Sequence, residues 1–178
     1  MKRRSDAAQN RARIIATARE RIVASSDVKM NEIAKAAGVG QGTLYRHFPT
    51  REALLAEVYR DDVEALVAAA PQLLDSHPPL EAMARWFSRV AEYARVKRGI
   101  FAAATQSVRD EFVGHSAQPI DAAVTALLEA GKAAGEIRPE AEARDVVLLI
   151  GFLTRLEDEE WDVRAHRILG MVLDGLRA

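Results

Sequence analysis

The chain has 178 residues, 49% of them apolar, no cysteine, and a formal net charge of −1. This apolar content is too high for a disordered chain and enough for one or two small domains. The lack of cysteine excludes disulfides and thiolate metal sites, no apolar run reaches the length of a membrane span, and the charged N-terminus has no signal-peptide core behind it, so a cytoplasmic location is expected.

The near-neutral total hides an asymmetry. Residues 1–60 carry 12 Lys+Arg against 6 Asp+Glu, a balance of about +6, and the remaining 118 carry 13 against 20, about −7. A basic head on an acidic body predicts that the head alone meets a polyanion.

The first four residues, Met1 to Arg4, read as a short basic arm able to neutralise phosphates. Helix one is expected from Asp6 to Ala24, burying Ile14, Ile15, Ala18, Ile22 and Val23, with Arg11 and Arg13 near its start. Ser25-Ser26-Asp27 breaks it, because short polar side chains compete for backbone hydrogen bonds. Two short helices joined by a glycine turn follow. Met30, Ile33, Ala34 and Ala37 recur at helical spacing, and Gly38 is the residue that closes that helix. In the second short helix Leu44 and Phe48 point inward. Gln41, Gly42, Thr43, Tyr45, Arg46 and His47 are left for the other faces, a small, hydrogen-bonding and cationic set suited to a DNA major groove.

At these residues the chain resembles the tetracycline-repressor (TetR) family of bacterial transcription factors. The resemblance is carried by Ile33-Ala-x-x-Ala-Gly-Val39, Gly42-Thr-Leu-Tyr-x-His-Phe48 and Arg51-Glu-x-Leu-Leu55, over roughly the first third of the chain. One departure is Lys29, where the family generally has Thr or Ser to begin a capping box ending at Glu32; Asp27 or Ser26 could cap from further out. The resemblance implies that Tyr45 and His47 contact phosphates flanking a half-site. Gln41 and Thr43 lie where base edges are reached first: Gln pairs with adenine and the Thr methyl meets a thymine methyl. Arg46 suits either base or backbone, and Gly42 lets the helix backbone approach. Thr50 and Arg51 place a helix N-terminus and a cation where a phosphate could sit.

Pro49 ends the second short helix, and Thr50 is a good N-cap for helix four, expected from Arg51 to about Ala70 and ended or kinked by Pro71. His77-Pro78-Pro79 is a linker. The next helix, Leu80 to about Lys97, presents Met83, Trp86, Phe87, Val90 and Tyr93, and Gly99 breaks it. A shorter helix is expected from Ile100 to about Val113, a loop over 114–119, and a helix from Ile120 to Ala134 that stops at Gly135. Ala141 to about Leu156 is apolar nearly all round, so it must be buried on more than one side. Glu157 to Glu160 reads as an acidic loop. The last helix begins at Trp161 or Asp162, with Val163, Ile168, Met171, Val172 and Leu176 along one side. Residues 148–176 resemble the SbtR-like C-terminal subgroup of the family. The last two helices are expected to form a two-fold interface, a four-helix bundle between two copies, as the family resemblance also implies.

Aromatic residues at helical spacing are mostly core, but the resemblance implies a pocket in the body. Candidate ligand contacts are Trp86, Phe87, Phe101, Gln106, Arg109 and Phe152, with Arg109 able to pair with an anion or a neighbouring carboxylate. No enzyme is expected. Helical di-iron pairs of the Glu-x-x-His kind are absent. Glu111 and His115 are separated by Gly114, which is expected to end the helix, and neither a phosphate loop nor a nucleophile elbow occurs. No catalytic residue, metal or cofactor is assigned.

The expected protein is all-α. Residues 1–50 form a three-helix, helix-turn-helix DNA-binding domain, 51–70 a connecting helix, and 71–178 a ligand-binding and dimerisation domain. It would act as a homodimeric repressor released from a pseudo-palindromic operator by a small-molecule effector. A same-fold activator or ligand-independent regulator, and a helical protein-interaction module, stay open as alternatives.

Overall fold

The computed structural model describes residues 2–25 and 27–178. It is all-α, as expected. Among the described residues eight helices follow in order: α1 (Lys2–Ala24), α2 (Met30–Ala36), α3 (Gln41–His47), α4 (Arg51–Ser76), α5 (Pro79–Ala103), α6 (Gln106–Ala133), α7 (Ala143–Ile150) and α8 (Asp158–Leu176). A 3-10 turn, Gly151–Arg155, continues α7.

Several boundaries differ from the sequence reading. Helix α1 begins at Lys2, not Asp6, since nothing between them breaks a helix. The side chains of residues 2–5, and Met1 and Ser26 altogether, lie outside the described residues, and with them the basic arm and one of the two caps considered for α2. Helix α4 passes through Pro71 to Ser76, a length of about 39 Å at 1.5 Å per residue. Helix α5 runs through Gly99, and α6 runs through Gly114 and Pro119, so the loop expected over 114–119 is helix. A helical Gly costs about 1 kcal/mol and a Pro about 3 kcal/mol. Burial of Ile100 on α5, and of Phe112, Val124, Leu127 and Leu128 on α6, outweighs them. The acidic run also belongs to a helix: Glu157 is the N-cap of α8, and Asp158, Glu159 and Glu160 fill its first turn, where the helix dipole favours negative charge.

The chain packs as two units, one running up to Asp61 with residues 96–112, the other comprising 62–95 and 113–178. In the first, Ile14, Ala18 and Ile22 of α1 share a core with Ile33 and Ala34 of α2, Leu44 of α3 and Leu54, Leu55 and Val58 of α4. Val23, expected in that stripe, is exposed. The ends of α5 and α6 join this core through an aromatic cluster: Tyr59 stacks on Phe112 with ring centroids 4.8 Å apart, and Phe101 lies 6.0 Å from Tyr59.

In the second unit, Trp86 is fully buried and donates its indole N–H to the Leu66 carbonyl at 3.0 Å. Glu136 accepts from the Leu80 backbone N–H at 2.8 Å and so caps α5 from the end of α6. The C-terminus is clipped to the same loop: Arg138 N–H donates to the Leu176 carbonyl at 3.0 Å and Ala178 N–H to the Glu136 carbonyl at 3.1 Å.

The last two helices bury one side each. Val146, Ile150 and Leu153 face inward, but Leu148 and Leu149 are 59% and 53% exposed. On α8 the buried set is Trp161, Ala165, Leu169 and Leu176; Val163 and Met171, expected with Leu176 on one side, are exposed. The apolar residues of both helices therefore fall on two faces, and the chain itself covers one.

Candidate nucleic-acid interface

The start of helix α2 is held mainly by backbone. Lys29 is its N-cap and offers no side-chain cap; its carbonyl accepts from Glu32 and Ile33. Asn31 partly replaces the missing hydroxyl, its side-chain oxygen accepting from Glu32 N–H at 2.9 Å. Among the described residues no bond from an α2 N–H to the Asp27 carboxylate occurs; the Asp27 backbone N–H donates to the Ser25 hydroxyl at 3.3 Å. At the other end Gly38 takes φ +65°, a left-handed conformation costly for any residue with a Cβ. That conformation turns the chain so that Val39 N–H reaches back to the Ala34 carbonyl at 3.0 Å. Helix α3 then starts after Gly40, anchored by buried Leu44 and followed by buried Phe48.

With Leu44 inward, Gln41, Gly42, Tyr45 and Arg46 are exposed, and Thr43 and His47 are half-buried. Tyr45 is 47% exposed. A Cβ on Gly42 would meet nothing within 4 Å. Arg46 folds back along its own helix, donating to the Gly42 carbonyl at 3.0 Å and to the Thr43 hydroxyl at 3.1 Å. His47 packs beside Phe48 at 6.3 Å between ring centroids. Thr50 acts as expected, its hydroxyl accepting from Ala53 N–H at 3.1 Å to cap α4.

Gln41, Tyr45 and Arg51 line an open cleft of about 480 Å³ together with Lys29, Met30 and Asn31 at the start of α2. From the sequence Lys29 stands out only as the departure from the capping box and Asn31 not at all; neither is among the DNA-contact candidates. The signal was available, because Lys29 is a cation immediately before the first helix of the motif. Arg51 also reaches Ala103 at the end of α5, donating to its carbonyl at 3.4 Å. Arg11 is likewise engaged: it pairs with Glu57 of α4, which also holds Arg60 at 2.7 Å, and lies 5.7 Å over the Phe48 ring. Arg11 thus fastens α1 to α4. The surface as a whole offers hydrogen-bond donors and cations around a protruding helix, the chemistry that recognises a phosphate backbone and base edges.

The six candidate ligand contacts are spread over both units. Trp86 is core, and Phe87, also buried, lines a shallow cleft of about 190 Å³ with Ser88 and His166. Phe152 sits half-buried on the 3-10 turn. Phe101 belongs to the aromatic cluster of the first unit. There Gln106 donates to Asp110 at 2.9 Å, and Arg109 is taken up by the Ala104 carbonyl at 3.0 Å. Because α6 continues through Gly114, Glu111 and His115 lie on one helix; among the described residues no group of three or more His, Cys, Asp or Glu is placed to hold a metal. Among those residues, too, no helix is long and apolar enough to cross a membrane.

Comparison with known proteins agrees with this geometry. Residues 14–58 match the family described as bacterial regulatory proteins of the tetR family, and residues 78–178 match the C-terminal domain of SbtR-like transcriptional regulators. A helix-turn-helix transcriptional regulator of Staphylococcus aureus is 36% identical over 76 residues, and the match spans about two fifths of each chain, 41% of this one and 40% of that one. The crystal structure of a TetR transcriptional regulator from Streptomyces coelicolor is 40% identical, covers 94% of this chain and 98% of its own, and superposes with a TM-score of 0.83. A TetR regulatory protein from Mycobacterium vanbaalenii is 31% identical over 98% of this chain and 99% of its own, with a TM-score of 0.80. With two such relatives along its length and a family domain over each part, the chain belongs to the TetR family of bacterial transcriptional regulators, with a C-terminal domain of the SbtR-like kind.

Proposed function

We propose that the protein is a homodimeric repressor that binds a pseudo-palindromic operator through α3 and leaves it when a small-molecule effector binds. The observation that carries the DNA reading is the exposed face of α3, where Gln41 and Tyr45 border a cleft shared with Lys29 and Arg51. Gln41 and Thr43 would read base edges, with Tyr45, His47, Thr50 and Arg51 on phosphates. Arg46 would leave its Thr43 contact for base or backbone.

The exposed apolar residues of α7 and α8 support dimerisation through the last two helices. Leu148, Leu149, Val163 and Met171 leave large apolar side chains of both helices in water, and a second copy would cover them. A two-fold dimer then presents two α3 helices about 34–36 Å apart, one turn of DNA. An effector, held either by Trp86, Phe87 and Phe152 of the second unit or by Phe101, Gln106 and Arg109 of the first, would act by binding one dimer state more tightly than the other. The setting is the cytoplasm, where the chromosome lies; the family consists of regulators, not enzymes.

The test is a selection of bound duplexes by the purified protein, followed by titration at two salt concentrations. We expect saturable binding that weakens with salt and falls severalfold to tenfold in Tyr45→Ala, the loss of about one hydrogen bond. Sequence-indifferent binding with and without candidate effectors would overturn the regulator reading.

A further inference from the structure

The end of α5 comes close to α1 at Gly99. A Cβ on this residue would stand 2.6 Å from the backbone oxygen of Ile22 and 2.8 Å from its Cγ2. The first of these atoms belongs to the main chain and cannot swing away. Gly99 therefore lies on α1 with no room for any other residue. Gly114, equally helical, has nothing within 4 Å of the same position. Gly99 is thus not a relic of a turn; its lack of a side chain is used.

What rests on this crossing is the DNA-facing surface. Ile22 is buried in α1, whose Ile14 and Ala18 share one core with Ile33 of α2 and Leu44 of α3. A core packed to crystal density passes a displacement on rather than absorbing it. Residues that follow Gly99 hold the same corner to the head: Ala103, whose carbonyl accepts from Arg51, and Phe101 and Phe112 against Tyr59. We propose that Gly99 is a positioning residue for DNA recognition: the crossing of α5 over α1 sets the attitude of α1 and, through their common core, that of the recognition helix α3.

The proposal rests on the DNA-binding reading above and is tested so that the two fail differently. Full-length wild type, Gly99→Ala and Gly114→Ala are each used to select duplexes from a random-sequence pool. Circular dichroism and sedimentation check that each variant keeps its helix content and oligomeric state. Both substitutions exchange a helical Gly for Ala, so they differ only in what the new methyl meets. We expect Gly114→Ala to select the wild-type duplex. Gly99→Ala should select the same half-site bases, since Gln41 and Thr43 are untouched, at a separation changed by one base pair or more. It should bind the wild-type duplex at least about tenfold more weakly. A role in folding alone would instead lower binding to every duplex alike and leave the spacing unchanged, and that result overturns the proposal. So does a folded Gly99→Ala with wild-type spacing and affinity within twofold. If Gly99→Ala does not fold, Ile22→Leu decides: it takes away the Cγ2 that faces Gly99 while conserving volume, and unchanged spacing and affinity there overturn the proposal. If wild type enriches no duplex, the DNA reading itself fails.

Discussion

Two lysines that look alike in the sequence have opposite surroundings. Lys29 stands in the cleft beside Gln41 and Tyr45, where a cation costs nothing until a phosphate arrives. Lys29→Ala should weaken binding to all DNA sequences about equally and reduce the slope of log affinity against log salt by about 1. Lys97 lies 5.1 Å over the Phe101 ring, and burial holds its ammonium below the ordinary lysine value of 10.5. Its folded-state pKa is lowered, so the unfolded chain binds that proton more tightly. The charge therefore costs stability at neutral pH, and the cost fades as pH rises through the folded value towards 10.5. Lys97→Met removes this dependence. Denaturant titrations at about pH 7 and about pH 10 should show the wild type gaining on the variant at the higher pH. Arg46 is the third such case. Its bonds to Gly42 and Thr43 occupy the side chain within α3, a commitment that no sequence pattern announces.

At the scale of elements, what the sequence made legible follows from periodicity, and what it hid follows from long-range packing. The helix-turn-helix could be read because its signals are local: Gly38 for the turn, Leu44 and Phe48 four apart, Thr50 as a cap. Further along, Pro71, Gly99, Gly114 and Pro119 read as punctuation but lie inside helices, whereas Gly135, at φ +69°, does follow the end of α6. Gly99 and Gly114 sit inside helices for different reasons, one pressed on Ile22 and the other open, and residue type alone cannot tell them apart. The cleft was half legible. Gln41, Tyr45 and Arg51 came from the motif, but Lys29 and Asn31 join it only once α2 is placed beside α3. These differences predict opposite signs for one kind of substitution. Gly114→Ala should stabilise by about 0.5–1 kcal/mol, since only chain entropy and helix propensity change. Gly38→Ala, at φ +65°, should destabilise by about 1–2 kcal/mol. Thermal unfolding of the two variants beside wild type measures both.

At the scale of the whole molecule, the uncovered apolar faces of α7 and α8 make oligomeric state the property most exposed to single changes. Leu149→Glu places a charge where the proposed interface would exclude water. It should shift sedimentation to the monomer at micromolar concentration. Operator affinity should fall by a hundredfold or more, because two half-sites held together bind far more tightly than one. Circular dichroism should be unchanged, since Leu149 is 53% exposed in the single chain.

The first packing unit is not a continuous piece of sequence: residues 96–112 complete what the chain up to Asp61 begins. A chimera spliced after Asp61 would sever Tyr59 from Phe112, Arg51 from Ala103 and Ile22 from Gly99. Its reading head would arrive without the part that braces it. Exchange of such heads between regulators, by laboratory recombination or by natural gene fusion, thus has two seams to match rather than one. A graft that carries 96–112 along should keep its donor's operator preference where the simple fusion loses it.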